Sequence, residues 1–434
     1  APGDPRSFDL LDDLLCRQAF RLSFWKVAAE EVNYRRFFTI NDLIGVRVED
    51  ERVFDHTHAL VSRLCEEGVI TGLRIDHIDG LWDPGRYLER LRRRHPDTYL
   101  VVEKILGRSE SLPRGWPVEG STGYDFSAMA GGLFCRKRGA RRFSRLYARL
   151  TGERRSYRQM LAEKKRLIVG KHLAGNVDNL AHRIKRIASR EREGRDITLY
   201  ALRRALVEVM VYFPVYRSYV AGKDIRHEDR AVLEQTIDGA QNAYPELTYE
   251  LNFVKDFLLQ GDVFAHAEAE ERNQVLRFVM ELQQQTGTLM AKGCEDTVFY
   301  TYNRLISLNE VGDDPEAFGV TRREFHDFCT KRARRWPHAM NATATHDSKR
   351  GEDARMRIHV LSEIPARWKE TVRRWMRLNR RKKMTRAGVP MPDANDEYFL
   401  YQTLIGTFPL NQEEHESWVE RIRSYVVKAV REAK

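Results

Sequence analysis

Three acidic side chains lie where chemistry is often found, at the end of a short strand-like run. Asp76 and Glu103 come directly after runs of four residues that favour β-structure, and Asp347 follows a third run by one residue, His346. In a parallel β-barrel, the C-terminal ends of the strands converge on one mouth, which carries the active site. Acids that are far apart in sequence are therefore expected to meet there.

Paired carboxylates are what cleavage of a glycosidic bond with retention of configuration requires. One carboxylate attacks the anomeric carbon while the other, held protonated, delivers a proton to the leaving oxygen, and the two lie about 5–5.5 Å apart. A neighbouring carboxylate raises the pKa of such an acid through like-charge repulsion. Arg74 lies two residues before Asp76, on the same face of a strand, and is placed to hold Asp76 ionised.

Each of these residues has a simpler explanation when it is taken alone. A single acid after a strand is usually a helix N-cap or a solvated loop residue, and Arg74 alone is more often a salt-bridge partner. His77 and His346 alone are more often structural histidines. The joint occurrence favours a site, because Asp76 and Glu103 are 27 residues apart (103 − 76), a suitable step for one βα unit.

The segments before the first two acids predict a strand–helix–strand unit. Apolar residues within 53–65 recur at helical spacing, and Gly68 supplies a stop signal after them. Residues 69–75 and 99–102 are typical of buried strands, and the apolar residues of 87–91 indicate a helix between them. Two strands joined through a helix indicate a parallel sheet.

The chain divides into three stretches by the pattern of its apolar residues. Residues 1–125 mix short strand-like runs with amphipathic helices, and residues 126–285 are almost entirely of helical pattern and strongly charged. Residues 286–434 return to short apolar runs followed by helices, with strands predicted at 287–291 and 341–345. This order predicts an α/β fold interrupted by a helical insertion or subdomain.

Charge and cysteine usage narrow the class of protein. The net charge is +11, but acidic residues interrupt several of the arginine-rich runs, so solvated helix faces are favoured over nucleic-acid binding. The five cysteines include no CxxC pair, which indicates neither a disulfide framework nor a zinc site and favours a reducing cytoplasm. No apolar run reaches transmembrane length, so we expect no membrane partner.

The residues around the three acids resemble signatures of the α-amylase superfamily, glycoside hydrolase family 13. Residues 74–77 (RIDH) resemble its strand-four signature, residues 102–103 (VE) its strand-five signature, and residues 345–347 (THD) its strand-seven signature. The resemblance implies a (β/α)8 TIM barrel in which Asp76 is the nucleophile and Glu103 is the general acid/base.

The same resemblance implies roles for the neighbouring side chains. Arg74 becomes the charge partner of the nucleophile. His346 and Asp347 grip the glucose in the reactive subsite, and Asp347 stabilises the transition state. His77 and Asp79 are expected to line the same mouth.

Longer strings resemble the maltooligosyl trehalose synthase family, a narrower group within that superfamily. They are YRRFF at 34–38, INDL at 40–43, TGYDF at 122–126, MAKGCEDT at 290–297, YNRLISLNEVG at 302–312 and THDSKRGED at 345–353. These strings are longer and more specific than the three signatures, and together they extend over most of the chain.

This resemblance implies an intramolecular transglycosylation of maltooligosaccharides. The last α-1,4-linked glucose at the reducing end is released, reorients and is rejoined through an α,α-1,1 link. Water has to be excluded, because otherwise the covalent intermediate hydrolyses. Tyr34, Arg35, Arg36, Lys292 and Glu295 are candidates for the cage around that glucose, and neither a cofactor nor a metal ion is expected.

The chain also departs from the superfamily pattern. The strand-three signature, Asp-x-x-x-Asn-His, does not occur before Asp76, and the chain does not begin with Met. We therefore expect a partial (β/α)8 TIM barrel with a large helical insertion at 126–285, truncated at both ends. Strands four and five are expected in 1–125, and strands six and seven in 286–434. The isolated chain is expected to have little or no activity, because an opened barrel exposes sheet edges.

Three other functions remain compatible with the sequence. A plain α-glucan hydrolase, such as an amylase or a trehalose-releasing hydrolase, uses the same three acids. A basic module that binds nucleic acid through arginine-rich helices predicts salt-sensitive binding. A carbohydrate-binding remnant without catalysis fits a truncated barrel.

Overall fold

The protein is mostly helical. The computed structural model describes residues 3–222, 224–261 and 268–433. Within this part of the chain, the α-helices of eight or more residues are Asp9–Cys16, Glu51–Glu66, Pro84–Arg94, Tyr124–Leu133, Ala140–Thr151, Tyr157–His172, Ala174–Ala188, Leu199–Tyr212, His227–Ala243, Thr248–Leu259, Ala269–Met290, Arg322–Arg335, Glu352–His359, Pro365–Asn379, Ala394–Thr407 and His415–Ala433.

The strands are short and form three small sheets. They are β1 (Arg36–Phe37), β2 (Ile40–Ile44), β3 (Gly72–Ile75), β4 (Tyr99–Val102), β5 (Gly120–Ser121), β6 (Met384–Arg386) and β7 (Val389–Met391). Strands β1 and β2 form one antiparallel hairpin, and β6 and β7 form another. The remaining three strands form a parallel sheet in the order β3-β4-β5.

The strand–helix–strand unit predicted before the first two acids is confirmed. Helix Glu51–Glu66 ends as predicted, since Gly68 takes a left-handed conformation with φ of +71° that favours glycine. Strand β3 starts later than predicted, because the N–H groups of the two residues after Gly68 still donate to the carbonyl of Leu64. Helix Pro84–Arg94 then returns the chain, and β4 pairs in parallel with β3.

The strand predicted at 287–291 is wrong. Residues 287–290 end the long helix Ala269–Met290, which continues directly into a π-helix, Ala291–Val298. Every residue from 286 to 290 is buried, so this turn of helix has no polar face that would reveal the helical period. A short apolar run of this kind looks the same in sequence as a buried strand.

The strand predicted at 341–345 is also wrong, because this part of the chain has no regular structure. The segment passes beside β5, where the N–H of Met340 donates to the carbonyl of Ser121 over 3.1 Å. Side chains then take up its backbone groups. The Ser127 hydroxyl donates to the carbonyl of Thr343 over 3.1 Å, and the N–H of Thr345 donates to a serine hydroxyl. These bonds compete with a strand ladder.

Buried apolar side chains form three clusters. The largest extends from Ile168 to Leu289 and lies among the helices of the middle stretch. The second combines residues 135–160 with residues 290–429, and the third lies within 54–118, around β3 and β4. The first helices of the middle stretch therefore pack against the C-terminal part of the chain.

The state of the cysteines and the hydropathy of the helices can be compared with the sequence-based expectations. All five cysteines are free thiols, and two of them, Cys135 and Cys294, are buried. Among the described residues, no helix combines the length and the apolar character needed to cross a membrane.

Truncation of a buried side chain in the helical cluster is expected to lower the stability of the protein strongly. Leu206 is fully buried, whereas Tyr200 on the same helix, Leu199–Tyr212, is 71% exposed. We expect Leu206→Ala to lower the free energy of unfolding by about 2–5 kcal/mol, because a cavity remains. Tyr200→Ala is the matched control and should change it by less than about 0.5 kcal/mol. Equal effects of the two variants in denaturant titrations would contradict this core.

Candidate active site

Strands β3 and β4 place Asp76 beside Glu103. Ile75 is in register with Val102, so the next residue on each strand is one of the two acids. The N–H of Glu103 donates to the carbonyl of Ile75 over 2.8 Å, which extends the parallel pairing by one step. The two carboxyl groups share a hydrogen bond. The parallel register therefore brings two acids that are distant in sequence into contact.

The turn after β3 gives Glu103 a backbone donor. His77 takes a left-handed conformation with φ of +45°, and its N–H donates to Oε2 of Glu103 over 2.6 Å. Gly80, at the end of the same turn, lies against the His77 imidazole, where any side chain would collide with the ring. The turn thus depends on glycine at this position.

Opposite pKa shifts distinguish the two acids. Burial, opposed by the His77 N–H and reinforced by the Asp76 carboxylate, raises the pKa of Glu103 to about 7. Burial also raises the pKa of Asp76, but hydrogen bonds from Glu103 and Arg74 outweigh it, so the pKa of Asp76 lies below its ordinary value. Arg74 hydrogen-bonds Asp76, and its Nη2 lies 3.7 Å from Oε2 of Glu103. One carboxyl is therefore ionised beside a neighbour that keeps its proton near neutral pH.

Asp347 reaches the site from the irregular segment at 341–345, which follows the helix Arg322–Arg335. The Tyr124 hydroxyl donates to Oδ2 of Asp347 over 2.5 Å, and Nε2 of His346 lies 3.5 Å from the same oxygen. The following residues are anchored by Glu310, whose carboxylate accepts the N–H of Lys349 over 2.5 Å. The Glu310 carboxylate thus holds the backbone next to Asp347 in place, although no strand carries this residue.

The π-helix forms the opposite wall. Asp296 binds two ammonium groups, that of Lys292 over 2.8 Å and that of Lys349 over 3.1 Å. Glu295 accepts a hydrogen bond from the Tyr216 hydroxyl, and burial raises the pKa of Glu295 to about 7. This wall therefore presents two cations and a second carboxyl that keeps its proton near neutral pH.

These walls enclose an open cavity of about 230 Å³. Eight of the predicted residues line it: Asp76, His77, Asp79, Glu103, Lys292, Glu295, His346 and Asp347. Arg74 is not among its lining residues, although its guanidinium contacts both acids. Among the described residues, no cluster of three or more His, Cys, Asp or Glu side chains is arranged to hold a metal ion.

Tyr34, Arg35 and Arg36 do not line the cavity either. Arg35 donates to the carbonyl of Gly80 over 2.7 Å, and burial lowers its pKa to about 10. Arg36 binds the amide oxygen of Asn41, and the Tyr34 hydroxyl donates to the carbonyl of Asn41 over 3.1 Å. All three side chains therefore hold the β1–β2 hairpin and its junction with the turn after β3.

Five polar or aromatic residues of the cavity escaped the sequence analysis: Phe37, Phe38, Tyr216, Asp296 and Lys349. The Phe38 ring lies 4.6 Å from the His77 ring and 5.4 Å from the Lys292 ammonium. Both phenylalanines, Asp296 and Lys349 lie inside the strings that carry the family resemblance, so a signal existed. Tyr216 lies in the helical stretch, and no motif marks it.

Two adjacent acids of opposite protonation are the arrangement that retaining glycoside chemistry requires. No family model matches the chain. The chain is 36% identical over 418 residues to a curated Mycobacterium tuberculosis protein that bears the name maltooligosyl trehalose synthase; the match covers 96% of this chain and 50% of the relative.

Solved structures give the same result. The structure of maltooligosyltrehalose synthase from Arthrobacter ramosus matches with a TM-score of 0.82 and 34% identity, over 99% of this chain and 50% of that chain. A hypothetical maltooligosyl trehalose synthase of Sulfolobus tokodaii matches with a TM-score of 0.75 and 32% identity, over 99% of this chain and 51% of that one. The chain is thus a homologue of maltooligosyl trehalose synthases, as the sequence strings predict, and spans about half the length of these relatives.

The raised pKa of Glu103 predicts a pH-dependent stability difference. Its pKa is about 7 in the folded protein against 4.5 ordinarily, so this stability is complete below pH 4.5 and is lost as pH rises through 7. As pH rises from 5 to 8, the wild type loses this stability and Glu103→Gln does not. We therefore expect the free energy of unfolding of Glu103→Gln to rise by about 1–3 kcal/mol relative to that of the wild type. Denaturant titrations at both pH values measure this gain. The exposed Glu89→Gln is the control, and an equal gain there would refute the assignment.

Proposed function

We propose that the chain carries the catalytic centre of an intramolecular transglycosylase for maltooligosaccharides, a (1→4)-α-D-glucan 1-α-D-glucosylmutase. The contact between Asp76 and Glu103, one ionised and one protonated, carries the proposal. Similarity over 96% of the chain to a protein named maltooligosyl trehalose synthase supports this choice of reaction. Because the chain spans about half of that relative, activity and substrate are proposed for the complete protein that carries it.

The proposed scaffold is part of a (β/α)8 barrel with a helical insertion. The parallel order β3-β4-β5 supports three consecutive barrel positions, and the N–H of Met340, which donates to the carbonyl of Ser121, supports a fourth beside β5. The division into 1–125, 126–285 and 286–434 is part of the same proposal, with the third strand of this order, β5, in 1–125 and not in 286–434 as expected from the sequence. Among the described residues, strand β3 pairs only with β4, so its other edge is open to a further strand.

The first step breaks the last α-1,4 link at the reducing end. The Asp76 carboxylate attacks the anomeric carbon, and Glu103 donates its proton to the leaving 4-oxygen, which forms a covalent glycosyl-enzyme. Arg74 keeps Asp76 ionised for the attack. The carboxyl of Glu103 suits this role because its pKa of about 7 leaves it protonated at the start.

The second step joins the same glucose to the glycosyl-enzyme through its 1-hydroxyl. The freed glucose stays in the cavity and turns, and its 1-hydroxyl loses a proton to Glu103 while its oxygen attacks the anomeric carbon held by Asp76. The bond to Asp76 breaks as the α,α-1,1 link forms. Two inversions at the anomeric carbon give net retention.

The remaining predicted residues bind and enclose the sugar. Asp347, oriented by Tyr124, accepts hydrogen bonds from hydroxyls of the distorted ring, and His346 assists it. Lys292 and Glu295 contact the mobile glucose from the π-helix.

The turn after β3 and the hairpin complete this enclosure. His77 lines the mouth, and Asp79 fixes its turn. Tyr34, Arg35 and Arg36 act indirectly, because they hold the hairpin that carries Phe37 and Phe38.

Hydrolysis of α-glucans is the second candidate function. The Asp76 side chain is 58% exposed and that of Asp347 is 41% exposed, so water reaches the bond between sugar and nucleophile. Water in place of the 1-hydroxyl turns the same two steps into hydrolysis. Reducing sugar rises in hydrolysis and falls when trehalose ends form, which separates the two reactions.

The proposed function predicts a non-reducing product from maltopentaose. We expect the complete protein that carries this chain to lower reducing sugar and yield a trehalose-terminated isomer. Asp76→Asn and Glu103→Gln should each reduce kcat at least about 10³-fold, because nucleophile and acid act in one unit. Asp97→Asn, an exposed residue of the turn before β4, is the control and should retain activity. Full activity in either site variant, or a rise in reducing sugar alone, would overturn the proposal.

A further inference from the structure

Lys104, the residue after Glu103, joins two loops at the base of the cavity. Its side chain has no exposed surface, and its Nζ lies 3.0 Å from Oδ2 of Asp79 and 2.9 Å from Oε1 of Glu110. Asp79 belongs to the turn after β3, whereas Glu110 belongs to the loop after β4. Burial lowers the pKa of Lys104, but the two carboxylates outweigh it and raise that pKa above its ordinary value. The link is therefore a permanent cation.

The same ammonium group contacts the helical part of the chain. Its Nζ lies 5.7 Å from the ring centre of Tyr216 and 5.8 Å from that of Tyr219. The Tyr219 hydroxyl donates to Asp79, and the Tyr216 hydroxyl donates to Glu295 on the π-helix. Three separate segments thus meet at one buried charge.

The position of Asp79 decides the position of the donor to Glu103. Only one residue separates Asp79 from His77, whose N–H binds Oε2 of Glu103 over 2.6 Å. Without the ammonium, Asp79 and Glu110 are two buried carboxylates that repel each other. Their separation pulls the turn away from β4 and lengthens the bond from His77 to Glu103.

We propose that Lys104 is a positioning residue, which clamps the turn after β3 to the loop after β4 so that the His77 N–H stays on the Glu103 carboxyl. This inference rests on the proposed role of Glu103 as acid/base. Lys104 itself does not line the cavity and needs no contact with sugar.

Other charged groups also face Glu103, and the test has to separate their effects. Those on β3 and the turn after it are Asp76, Arg74 and His77, and Tyr124 faces Glu103 from the next helix. Across the cavity lie Lys292, Glu295, Asp296, His346, Asp347 and Lys349.

Two variants distinguish geometry from charge. Lys104→Met removes the cation, and Glu110→Gln removes one carboxylate with little change of shape. If charge alone acted, Lys104→Met would raise the pKa of Glu103 and Glu110→Gln would lower it. Positioning predicts a rise in both variants, because both loosen the clamp and weaken the bond from His77. Lys383→Met, which breaks the ion pair with the buried Glu397 outside the cavity lining, is the control.

The experiment measures the Glu103 carboxyl directly in the complete protein. The infrared carbonyl band that disappears when each variant also carries Glu103→Gln is titrated against pH. We expect its pKa to rise by about one pH unit in Lys104→Met and by a smaller amount in Glu110→Gln. We expect kcat on maltopentaose to fall about 10²-fold in Lys104→Met, with KM changed less than about threefold. Lys383→Met should lower Tm only.

Each outcome decides between the explanations. An unchanged Glu103 pKa and kcat in Lys104→Met, with a lower Tm, would reduce Lys104 to a structural residue and overturn the inference. A lower pKa in Glu110→Gln would favour charge over positioning and overturn it as well. If Lys104→Met does not fold, Glu110→Gln decides alone. If both variants show the expected shifts in the pKa of Glu103 but the wild type forms no trehalose ends, the proposed reaction is rejected. The positioning role of Lys104 is then kept.

Discussion

The structure depends on one constraint, that two carboxyl groups in contact cannot both be ionised at low cost. The pairing of β3 with β4 enforces the contact, because Asp76 and Glu103 follow residues in register. Arg74 and burial then decide which acid keeps the proton. A one-residue slip in this register would move one acid to the other face of its strand and remove the contact. The hydrogen-bond register of two four-residue strands thus determines that the two acids are neighbours.

The other walls of the cavity come from parts of the chain with separate apolar cores. The strand residues that precede the two acids pack in the cluster within 54–118, and the long helix before the π-helix belongs to the helical cluster. Asp347 arrives from an irregular segment that Glu310 and Tyr124 fix by hydrogen bonds. Polar links such as Lys104 join these parts where their cores do not merge. Loss of the ammonium would leave two buried carboxylates without their counter-charge, which is costly in a low-dielectric interior.

The π-helix is the least expected element of the site. Its wider turn continues a regular helix and directs the residues of one turn, Lys292, Glu295 and Asp296, to the cavity. Gly293 lies against the stem of the buried Lys165, where a methyl group would come within 2.8 Å. Burial also lowers the pKa of Lys165 to about 8. Such π-turns are rare and concentrate at functional sites, where they shift a side chain that a regular helix would direct elsewhere.

Sequence alone determined the βαβ unit and the acids at its strand ends, because local periodicity and the stop signal at Gly68 are encoded in neighbouring residues. It also determined the resemblance, which long strings carry. Tertiary structure decided the rest. Residues 286–290 are helical although they are buried on all sides, since burial removes the polar face that reveals a period. Phe37 and Tyr216 reach the cavity, whereas Arg35 does not, because its guanidinium donates to the distant carbonyl of Gly80. The position of Arg74 indicates from the sequence that Asp76 is the ionised acid, whereas burial, the main cause of the raised pKa of Glu103, is decided by the tertiary structure.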